Sequence, residues 1–358
     1  MSDFWNDRTK NLSPYIPGEQ PKDRKFIKLN TNENPYPPSV KVIEAIQNNV
    51  NENLRLYPEP ECTELRKTIA NFYGVKTEQV FAGNGSDEIL AFAFGAFFQS
   101  NCCDLLLFPD ITYSFYPVYA SLWNVSYSTV PLGEDFTINV NDYKTVSGGV
   151  IFPNPNAPTG IALAIDDILS LADFLVKQKK VLIIDEAYAA FGADSAVPYI
   201  EKYPNLLTVH TLSKSASLAG LRAGFAIGNE KLIEGLCRIR DSFNSYTLDR
   251  LALAGAKAAV EDRQYYKEIN NKIIATRQRT AQSLTEIGFK VLPSKANFLF
   301  VKPPKINAAD LFAALRENGI LVRHFNKERI KDFLRVTIGT DEEMDTVIAC
   351  CREIIGRN

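Results

Sequence analysis

The fold class is decided at residues 146–188, where the chain reads VSGGVIFPN (146–154), IDDILSLADFLVKQ (165–178) and KKVLIIDEAY (179–188). The first segment is an apolar run that ends at a proline-rich loop, which is typical of a strand. The second has apolar residues at helical spacing behind an acidic first turn. Val181–Ile184 is again continuously apolar, as in a strand that is buried on both faces. Strand, helix and strand in this order predict a βαβ unit.

Two more strands are predicted downstream, at Leu206–His210 and in LRAGFAIG (221–228). Strands that alternate with helices predict a mostly parallel sheet, whose ligands bind beyond the carboxyl ends of the strands. We therefore expect the polar residues that follow these strands to meet at one edge of the sheet: Asp185, Tyr188, Ser213 and Lys214.

The last third of the chain predicts a second, smaller domain. A polar helical stretch over 246–288 is followed by the patterns of strand, strand, helix, strand and strand. We predict an N-terminal arm at 1–28, a small α+β domain formed by 29–50 with 270–358, and a large domain at 51–269. The fold class is α/β, with the mostly parallel sheet in an α/β/α sandwich. The long helix is expected to connect the two domains.

Composition excludes several classes of partner. The 358 residues are 46% hydrophobic and 23% charged, with a formal net charge of −2, so no electrostatic feature favours nucleic acid or an acidic membrane surface. The N-terminal MSDFWNDRTKNLSPY has no basic segment before an apolar one, so we expect no signal peptide. The most apolar run, ILAFAFGAFF (89–98), is about half the ~20 residues of a membrane-spanning helix and predicts a buried helix.

Cysteine and histidine usage argues against metal chemistry. The spacing of the six cysteines predicts neither a zinc site, nor a CxxC redox pair, nor a disulfide framework. They stand at positions 62, 102, 103, 237, 350 and 351. We expect reduced thiols and a cytoplasmic location. The two histidines, His210 and His324, have no ligand-like spacing, so neither a metal centre nor a histidine-based triad is expected.

The least ordinary segment is TLSKSASLAGLRAGF (211–225), where Lys214 stands among hydroxyls and small residues without an acidic neighbour. Most lysines lie on solvated faces. Together with an aspartate at a strand end, a tyrosine three residues later and a glycine-rich turn that opens a helix, GNGSDEIL (83–90), this lysine indicates pyridoxal phosphate chemistry.

Eight motifs resemble fold-type I aminotransferases and, within them, the histidinol-phosphate aminotransferase family. They follow the family's order from Leu29 to the C-terminus, and although each is unspecific alone, the set is specific. They are LNTNENPYPPS (29–39), YPEPECTELRKTIANFYG (57–74), GNGSDEIL (83–90), PDITYSFYPVYA (109–120), PNPNAPTG (153–160), IIDEAY (183–188), TLSKSASLAGLRAGF (211–225) and FLRVTIGT (333–340).

The resemblance implies three catalytic residues. Lys214 would bind the cofactor aldehyde covalently and later carry a proton, which requires a neutral amine for part of the cycle. Asp185 would pair with the pyridinium nitrogen and keep it protonated. Tyr188 would donate to the phenolic oxygen of the cofactor ring.

The resemblance also implies the residues that hold the cofactor. The backbone N–H groups of Ser86 and Asp87 would bind the phosphate at a helix N-terminus. Ser213 would add a hydroxyl and Arg222 a planar guanidinium. Tyr113 would stack on the pyridine ring.

One motif departs from the family pattern. The family usually has an asparagine directly before PTG that binds the phenolic oxygen, but here Ala157 holds that place and Asn156 precedes it. Either Asn156 reaches the cofactor from one position earlier, or that hydrogen bond is absent and Tyr188 acts alone.

Three further residues are implied as substrate contacts. Arg335 matches an arginine of the small domain that holds a substrate carboxylate, and Arg323 would add a second cation. Histidinol phosphate has a phosphate instead of an α-carboxylate, and two guanidiniums suit a dianion. Tyr15 matches a tyrosine that covers the site and contacts that phosphate.

The predicted function is transfer of the amino group of histidinol phosphate to 2-oxoglutarate in histidine biosynthesis. An aromatic or broad-range aminotransferase and a threonine-phosphate decarboxylase remain alternatives on the same scaffold. A transcription regulator with this fold would need a winged-helix domain before it. Because the family match begins by residue 29, we do not expect a regulator of this kind. The resemblance implies a homodimer in which Tyr57 reaches the cofactor phosphate of the neighbouring subunit.

Overall fold

The computed structural model describes residues 4–21, 23–100 and 103–356; Cys102 and the extreme ends of the predicted arm and small domain lie outside these ranges. The strands are β1 (Ile27–Lys28), β2 (Val80–Gly83), β3 (Leu106–Pro109), β4 (Tyr127–Val130), β5 (Gly149–Pro153), β6 (Leu182–Asp185), β7 (Leu206–Thr211), β8 (Gly224–Gly228), β9 (Lys290–Val291), β10 (Phe298–Lys302), β11 (Ile320–Leu321), β12 (Arg323–His324) and β13 (Leu334–Thr337).

Twelve α-helices and five short 3₁₀ turns lie in the described part of the chain. The α-helices are α1 (Asp7–Asn11), α2 (Val40–Asn48), α3 (Thr63–Tyr73), α4 (Gly85–Phe97), α5 (Tyr116–Trp123), α6 (Ile165–Lys177), α7 (Leu212–Ser215), α8 (Glu230–Phe243), α9 (Arg250–Glu261), α10 (Arg263–Glu286), α11 (Ala308–Glu317) and α12 (Asp341–Gly356). Short 3₁₀ turns lie at Glu52–Arg55, Thr77–Gln79, Val140–Tyr143, Ala189–Phe191 and Val197–Tyr199.

The described residues form a seven-stranded central sheet in the order β2-β8-β7-β6-β5-β3-β4. Only β8 runs antiparallel to its neighbours, so the predicted mostly parallel sheet is confirmed. The βαβ unit predicted at 146–188 is β5, α6 and β6, and its two strands pair in register from Val150 opposite Leu182 to Pro153 opposite Asp185.

Alternation along the central strands separates the two faces of the sheet. Phe152 and Ile184 pack into the cluster that includes the buried stripe of α6. Ile151 and Ile183 point the other way, into the cluster built around α4. Both faces are therefore covered by helices, and the α/β/α sandwich is confirmed. The apolar run at 89–98 lies almost entirely in α4 and is largely buried, as predicted.

The smaller part of the fold is a four-stranded antiparallel sheet in the order β12-β13-β10-β9, with β1 and β11 as a separate parallel pair. The expected single helix over 246–288 is wrong, because the helix breaks at Asp262. That residue leaves helical geometry at ψ 54°, and its carboxylate pairs with Lys41 Nζ at 2.8 Å. The second half, α10, packs Ile269 into the large-domain core and Ile273 into the small-domain core, so α10 connects the two parts.

The domain boundaries remain a prediction. Leu29 packs with the small sheet, whereas Val42 on α2 packs with Ala252 and Ala256 on α9. This packing favours assigning 40–48 to the large domain.

Among the described residues, no helix combines the length and the apolarity needed to cross a bilayer. In the same part of the chain, no three histidine, cysteine, aspartate or glutamate side chains gather as potential metal ligands, and no disulfide forms.

Candidate active site

A cavity of about 210 Å³ lies at the carboxyl ends of β5, β6 and β7, where Pro153, Asp185 and Thr211 contribute to its wall. Parallel strands end at the same edge, so their last residues meet there. Most of the residues implied by the motifs line this one cavity: Tyr15, Ser86, Asp87, Tyr113, Asp185, Tyr188, Ser213, Lys214, Arg222, Arg323 and Arg335.

Lys214 is presented to the cavity by a single helical turn after β7. The turn is capped by the Thr211 hydroxyl, which accepts the N–H of Ser213 at 3.1 Å. Lys214 Nζ donates to the carbonyl oxygen of Thr31 at 3.1 Å. Burial, together with the positive charge of Arg335, lowers the pKa of the Lys214 amine to about 8. A larger fraction of this amine is therefore neutral near physiological pH than of an ordinary lysine.

Asp185 ends β6 and is almost fully buried. Its Oδ1 accepts the N–H of Ala187 at 3.1 Å, and its Oδ2 accepts the hydroxyl of Tyr116 at 3.4 Å. Burial raises the pKa of the Asp185 carboxyl to about 7, and the charge of Asp87 acts in the same direction. A cation placed beside this carboxylate would offset that desolvation.

Tyr188 is held by a residue that the motifs did not assign. The hydroxyl of Tyr188 accepts a hydrogen bond from Asn32 Nδ2 at 2.8 Å, and its ring packs edge-on against Phe298. Asn30, Thr31 and Asn32 all line the cavity. The available signal was the polar run NTNEN inside LNTNENPYPPS (29–39), which supports the family resemblance but indicates no role by itself.

The N-terminus of α4 forms a second wall with Arg222. Arg222 Nη2 donates to Asp87 Oδ2 at 3.1 Å, and its Nη1 donates to the Ser213 hydroxyl at 3.4 Å. Tyr113 donates its hydroxyl to Asp87 Oδ1 at 2.6 Å. The carboxylate of Asp87 thus orients both side chains, while the helix start favours an anion. Gly85 has φ +75°, and a Cβ there would lie 2.7 Å from Arg222 Nη2.

Two arginines of the small sheet also line the cavity. Arg323 and Arg335 stand in register on β12 and β13, and Arg335 Nη2 donates to the carbonyl oxygen of Asn30 at 2.9 Å. Within the described residues, the buried Nε of Arg335 has no hydrogen-bond partner. Burial lowers the pKa of Arg335, and the neighbouring Arg323 acts in the same direction. Tyr15 lines the cavity with its ring stacked on Phe115 at 4.3 Å between centroids.

Asn156 is not among the residues that line the cavity, and its contact with a ligand stays a prediction. Its Nδ2 donates to the carbonyl oxygen of Ile111, in the loop after β3, at 2.9 Å and to the Thr159 hydroxyl, in its own loop, at 3.2 Å. Ala157 does line the cavity but has no polar side chain.

Tyr57 lies outside the cavity as well. Its side chain is 77% exposed, and its ring stacks on Tyr246 at 4.7 Å. Arg250 fixes the backbone here by donating to the carbonyl oxygen of Tyr57 at 2.7 Å. An exposed and oriented ring is what contact with a second subunit would require, and that role remains a prediction.

A larger cavity of about 530 Å³ lies beside Tyr73 and His210 and contains none of the residues implied by the motifs. Its buried carboxylate, Glu186, accepts the Ala196 N–H at 2.7 Å and the Ser195 hydroxyl at 2.5 Å. Burial raises the pKa of Glu186 to about 7 and lowers that of His210 to about 3. These bonds fix the loop after β6, so Glu186 has a structural role.

The comparisons with known proteins agree with this geometry. The profile of the family described as aminotransferase class I and II matches residues 24–350. A histidinol-phosphate aminotransferase from Clostridium acetobutylicum is 54% identical over 99% of this chain and 100% of its own length. One from Clostridium beijerinckii is 53% identical over 100% of this chain and 99% of its own. The solved histidinol-phosphate aminotransferase from Sinorhizobium meliloti, in complex with pyridoxal 5′-phosphate, is 24% identical with a TM-score of 0.88. The match covers 100% of this chain and 99% of that one.

Proposed function

Because the chain belongs to the class I and II aminotransferases and, within them, to the histidinol-phosphate aminotransferase family, we propose that it transfers the amino group of L-histidinol phosphate to 2-oxoglutarate. The products are imidazole acetol phosphate and glutamate, formed in a ping-pong sequence. The observation that carries the substrate assignment is the pair Arg323 and Arg335, which share the cavity of Lys214.

The cofactor is pyridoxal 5′-phosphate, whose ring withdraws electrons from the substrate carbon when it is bound. The cavity fits such a group. Ser213, Arg222 and the first N–H groups of α4 would hold the phosphate, and Tyr113 is placed to pack against the ring. Gly85 has no side chain to fill the space beside Arg222. The backbone and the guanidinium can therefore approach the same anion.

Lys214 supplies the amine that binds the cofactor and carries the proton at the reacting carbon. An amine does this only in its neutral form, and burial together with the charge of Arg335 favours that form. The contact with the Thr31 carbonyl oxygen places Nζ inside the cavity.

Asp185 and Tyr188 would act on different atoms of the cofactor ring. Asp185 supplies the buried negative charge that a ring N–H⁺ requires, and its two hydrogen bonds fix the orientation of the carboxylate. Tyr188 supplies a hydroxyl proton for the phenolic oxygen. In this assignment Tyr188 acts without Asn156.

Arg323 and Arg335 bind the substrate phosphate. Two guanidiniums in register carry two positive charges, which matches a phosphate dianion better than a single carboxylate. The carboxylates of glutamate can use the same pair in the second half-reaction. Tyr15 lines the same cavity, with its ring stacked on Phe115, and would contact that phosphate.

The active assembly in this proposal is a cytoplasmic homodimer. Tyr57 and Tyr246 are stacked and exposed, and Leu54, Leu56 and Phe243 add further exposed apolar surface. Exposed apolar patches of this kind favour an interface between copies. Tyr57 would then reach the cofactor phosphate of the partner subunit.

Substrate competition tests the proposal. Stopped-flow absorbance follows the loss of the visible band of the lysine-bound cofactor with histidinol phosphate, phenylalanine or threonine phosphate as donor. We expect the highest second-order rate constant with histidinol phosphate. A large preference for phenylalanine would establish the aromatic alternative, and release of CO₂ from threonine phosphate would establish the decarboxylase.

A further inference from the structure

Asn32 and Tyr188 form a buried polar pair at the cavity wall. Asn32 is 2% exposed, and its Nδ2 donates to the Tyr188 hydroxyl at 2.8 Å. A phenol oxygen has one proton to donate. Because this oxygen accepts from Asn32, its own proton points away from Asn32, and Tyr188 lines the cavity.

The orientation of the Asn32 amide is determined by Thr337. The Thr337 hydroxyl accepts the backbone N–H of Asn32 at 3.0 Å and donates its proton to Asn32 Oδ1 at 3.0 Å. With Oδ1 occupied as an acceptor, only the NH₂ group remains to face Tyr188. The amide therefore presents a donor to the phenol.

The backbone of Asn32 is fixed as well. Its φ is +56°, a left-handed conformation that asparagine tolerates better than most residues with a side chain. The carbonyl oxygen of Asn32 accepts Asn297 Nδ2 at 3.0 Å. Asn32 is thus held at its N–H, its C=O and its side chain, which is more than packing alone requires.

We propose that Asn32 is a positioning residue, which orients the Tyr188 hydroxyl so that its proton is donated into the cavity, to the phenolic oxygen of the cofactor. The inference rests on the proposed role of Tyr188. A hydrogen bond to that oxygen stabilises its negative charge. It thereby favours loss of the proton from Lys214 Nζ when this nitrogen is bonded to the cofactor. Weaker donation therefore raises the pH at which the visible band of the bound cofactor disappears.

The test is a spectroscopic pH titration of the cofactor-loaded enzyme. Asn32→Gly removes the amide but suits the positive φ, and we expect its midpoint to rise by about one pH unit. Asn32→Asp keeps the size but replaces the donor with an acceptor, so it should draw the phenol proton away from the cavity and shift the midpoint further. Tyr188→Phe gives the reference shift for complete loss of the donor.

A double-variant comparison separates positioning from a general structural effect. If Asn32 acts through Tyr188, Asn32→Gly adds no further shift in the Tyr188→Phe background. Thr337→Val, which removes the hydroxyl that orients the amide, should give a smaller shift in the same direction and covers the case in which Asn32→Gly fails to fold. Asn30→Ala is the matched control, because the Asn30 amide donates to the carbonyl oxygen of Glu19 instead.

The possible results distinguish a wrong role for Asn32 from a wrong role for Tyr188. An unchanged midpoint in Asn32→Gly and Thr337→Val, beside a shifted one in Tyr188→Phe, would overturn the inference about Asn32 alone. Full additivity of Asn32→Gly with Tyr188→Phe would do the same. An unchanged midpoint in Tyr188→Phe would instead overturn the proposed role of Tyr188.

Discussion

Arg323 and Arg335 stand directly opposite each other on adjacent antiparallel strands, and both line the cavity that contains Lys214. Two like charges at one wall repel each other, so the pair is stable only when an anion or backbone oxygens compensate. Arg335 already uses the carbonyl oxygen of Asn30. In the proposed function, an anionic substrate would supply the remaining compensation.

Loss of either arginine should weaken substrate binding. Arg335→Gln and Arg323→Gln each remove a charge-assisted hydrogen bond of about 1.5–3 kcal/mol. We expect KM for histidinol phosphate to rise roughly ten- to a hundredfold in initial-rate assays. Lys327→Gln removes an exposed cation outside the cavity and should leave KM unchanged. An equal rise in Lys327→Gln would show that overall charge, not the pair, attracts the substrate.

Lys214→Ala should abolish covalent attachment of the cofactor. Borohydride reduction of the unvaried enzyme is expected to fix the cofactor to the chain, and mass spectrometry of peptides should locate it at Lys214. Lys267→Ala, which alters an exposed lysine at the larger cavity, should retain the adduct. A reducible adduct that persists in Lys214→Ala would refute the assignment of the nucleophile.

The rate of cofactor binding should depend on pH through the ionisation of Lys214. With the pKa lowered to about 8, about one amine in ten is neutral at pH 7, against about one in three thousand for an ordinary lysine. The rate at which the cofactor-free chain binds pyridoxal phosphate should therefore rise about tenfold per pH unit below 8 and level off above it. Stopped-flow absorbance measures this rate. A rise that continues to pH 10 would mean that the amine has an ordinary pKa.

Gly85→Ala should weaken cofactor binding. The new Cβ would lie 2.7 Å from Arg222 Nη2, at a φ of +75° that disfavours a side chain. Displacing the guanidinium loses a charge-assisted contact, so we expect the dissociation constant of pyridoxal phosphate to rise about tenfold or more in fluorescence titrations. Gly220→Ala is the control, because a Cβ there meets no atom within 4 Å. Equal losses in the two variants would argue against a cradle at Gly85.

Subunit complementation tests the shared site. Lys214→Ala and Tyr57→Ala chains should each have low activity as homodimers. After mixing and reassembly, each heterodimer contains one site with both residues intact, so about a quarter of the unvaried activity should return. No recovery in a mixture that contains heterodimers would show that Tyr57 does not serve the site of its neighbour.

The hydrophobic periodicity of the sequence was enough to predict β5, α6 and β6, because the repeats of strands and helices can be recognised from consecutive residues. The ion pair that Asp262 forms at the helix break was not predictable in this way, since its partner, Lys41, lies 221 residues away in the chain. The contact of Asn156 with the carbonyl oxygen of Ile111 was not predictable in this way either, because Ile111 lies in a separate loop.

The sequence by itself determined the fold class and the family, because both depend on residue type and spacing along the chain, and it indicated Lys214 as the candidate nucleophile. The tertiary structure alone decided that Asn32 contacts Tyr188, which lies 156 residues away in the chain, and that Arg323 stands opposite Arg335. It also decided that Asn156 contacts the carbonyl oxygen of Ile111. These contacts depend on how strands and loops are brought together by packing, and hydrogen bonds form only where the donor and acceptor then meet.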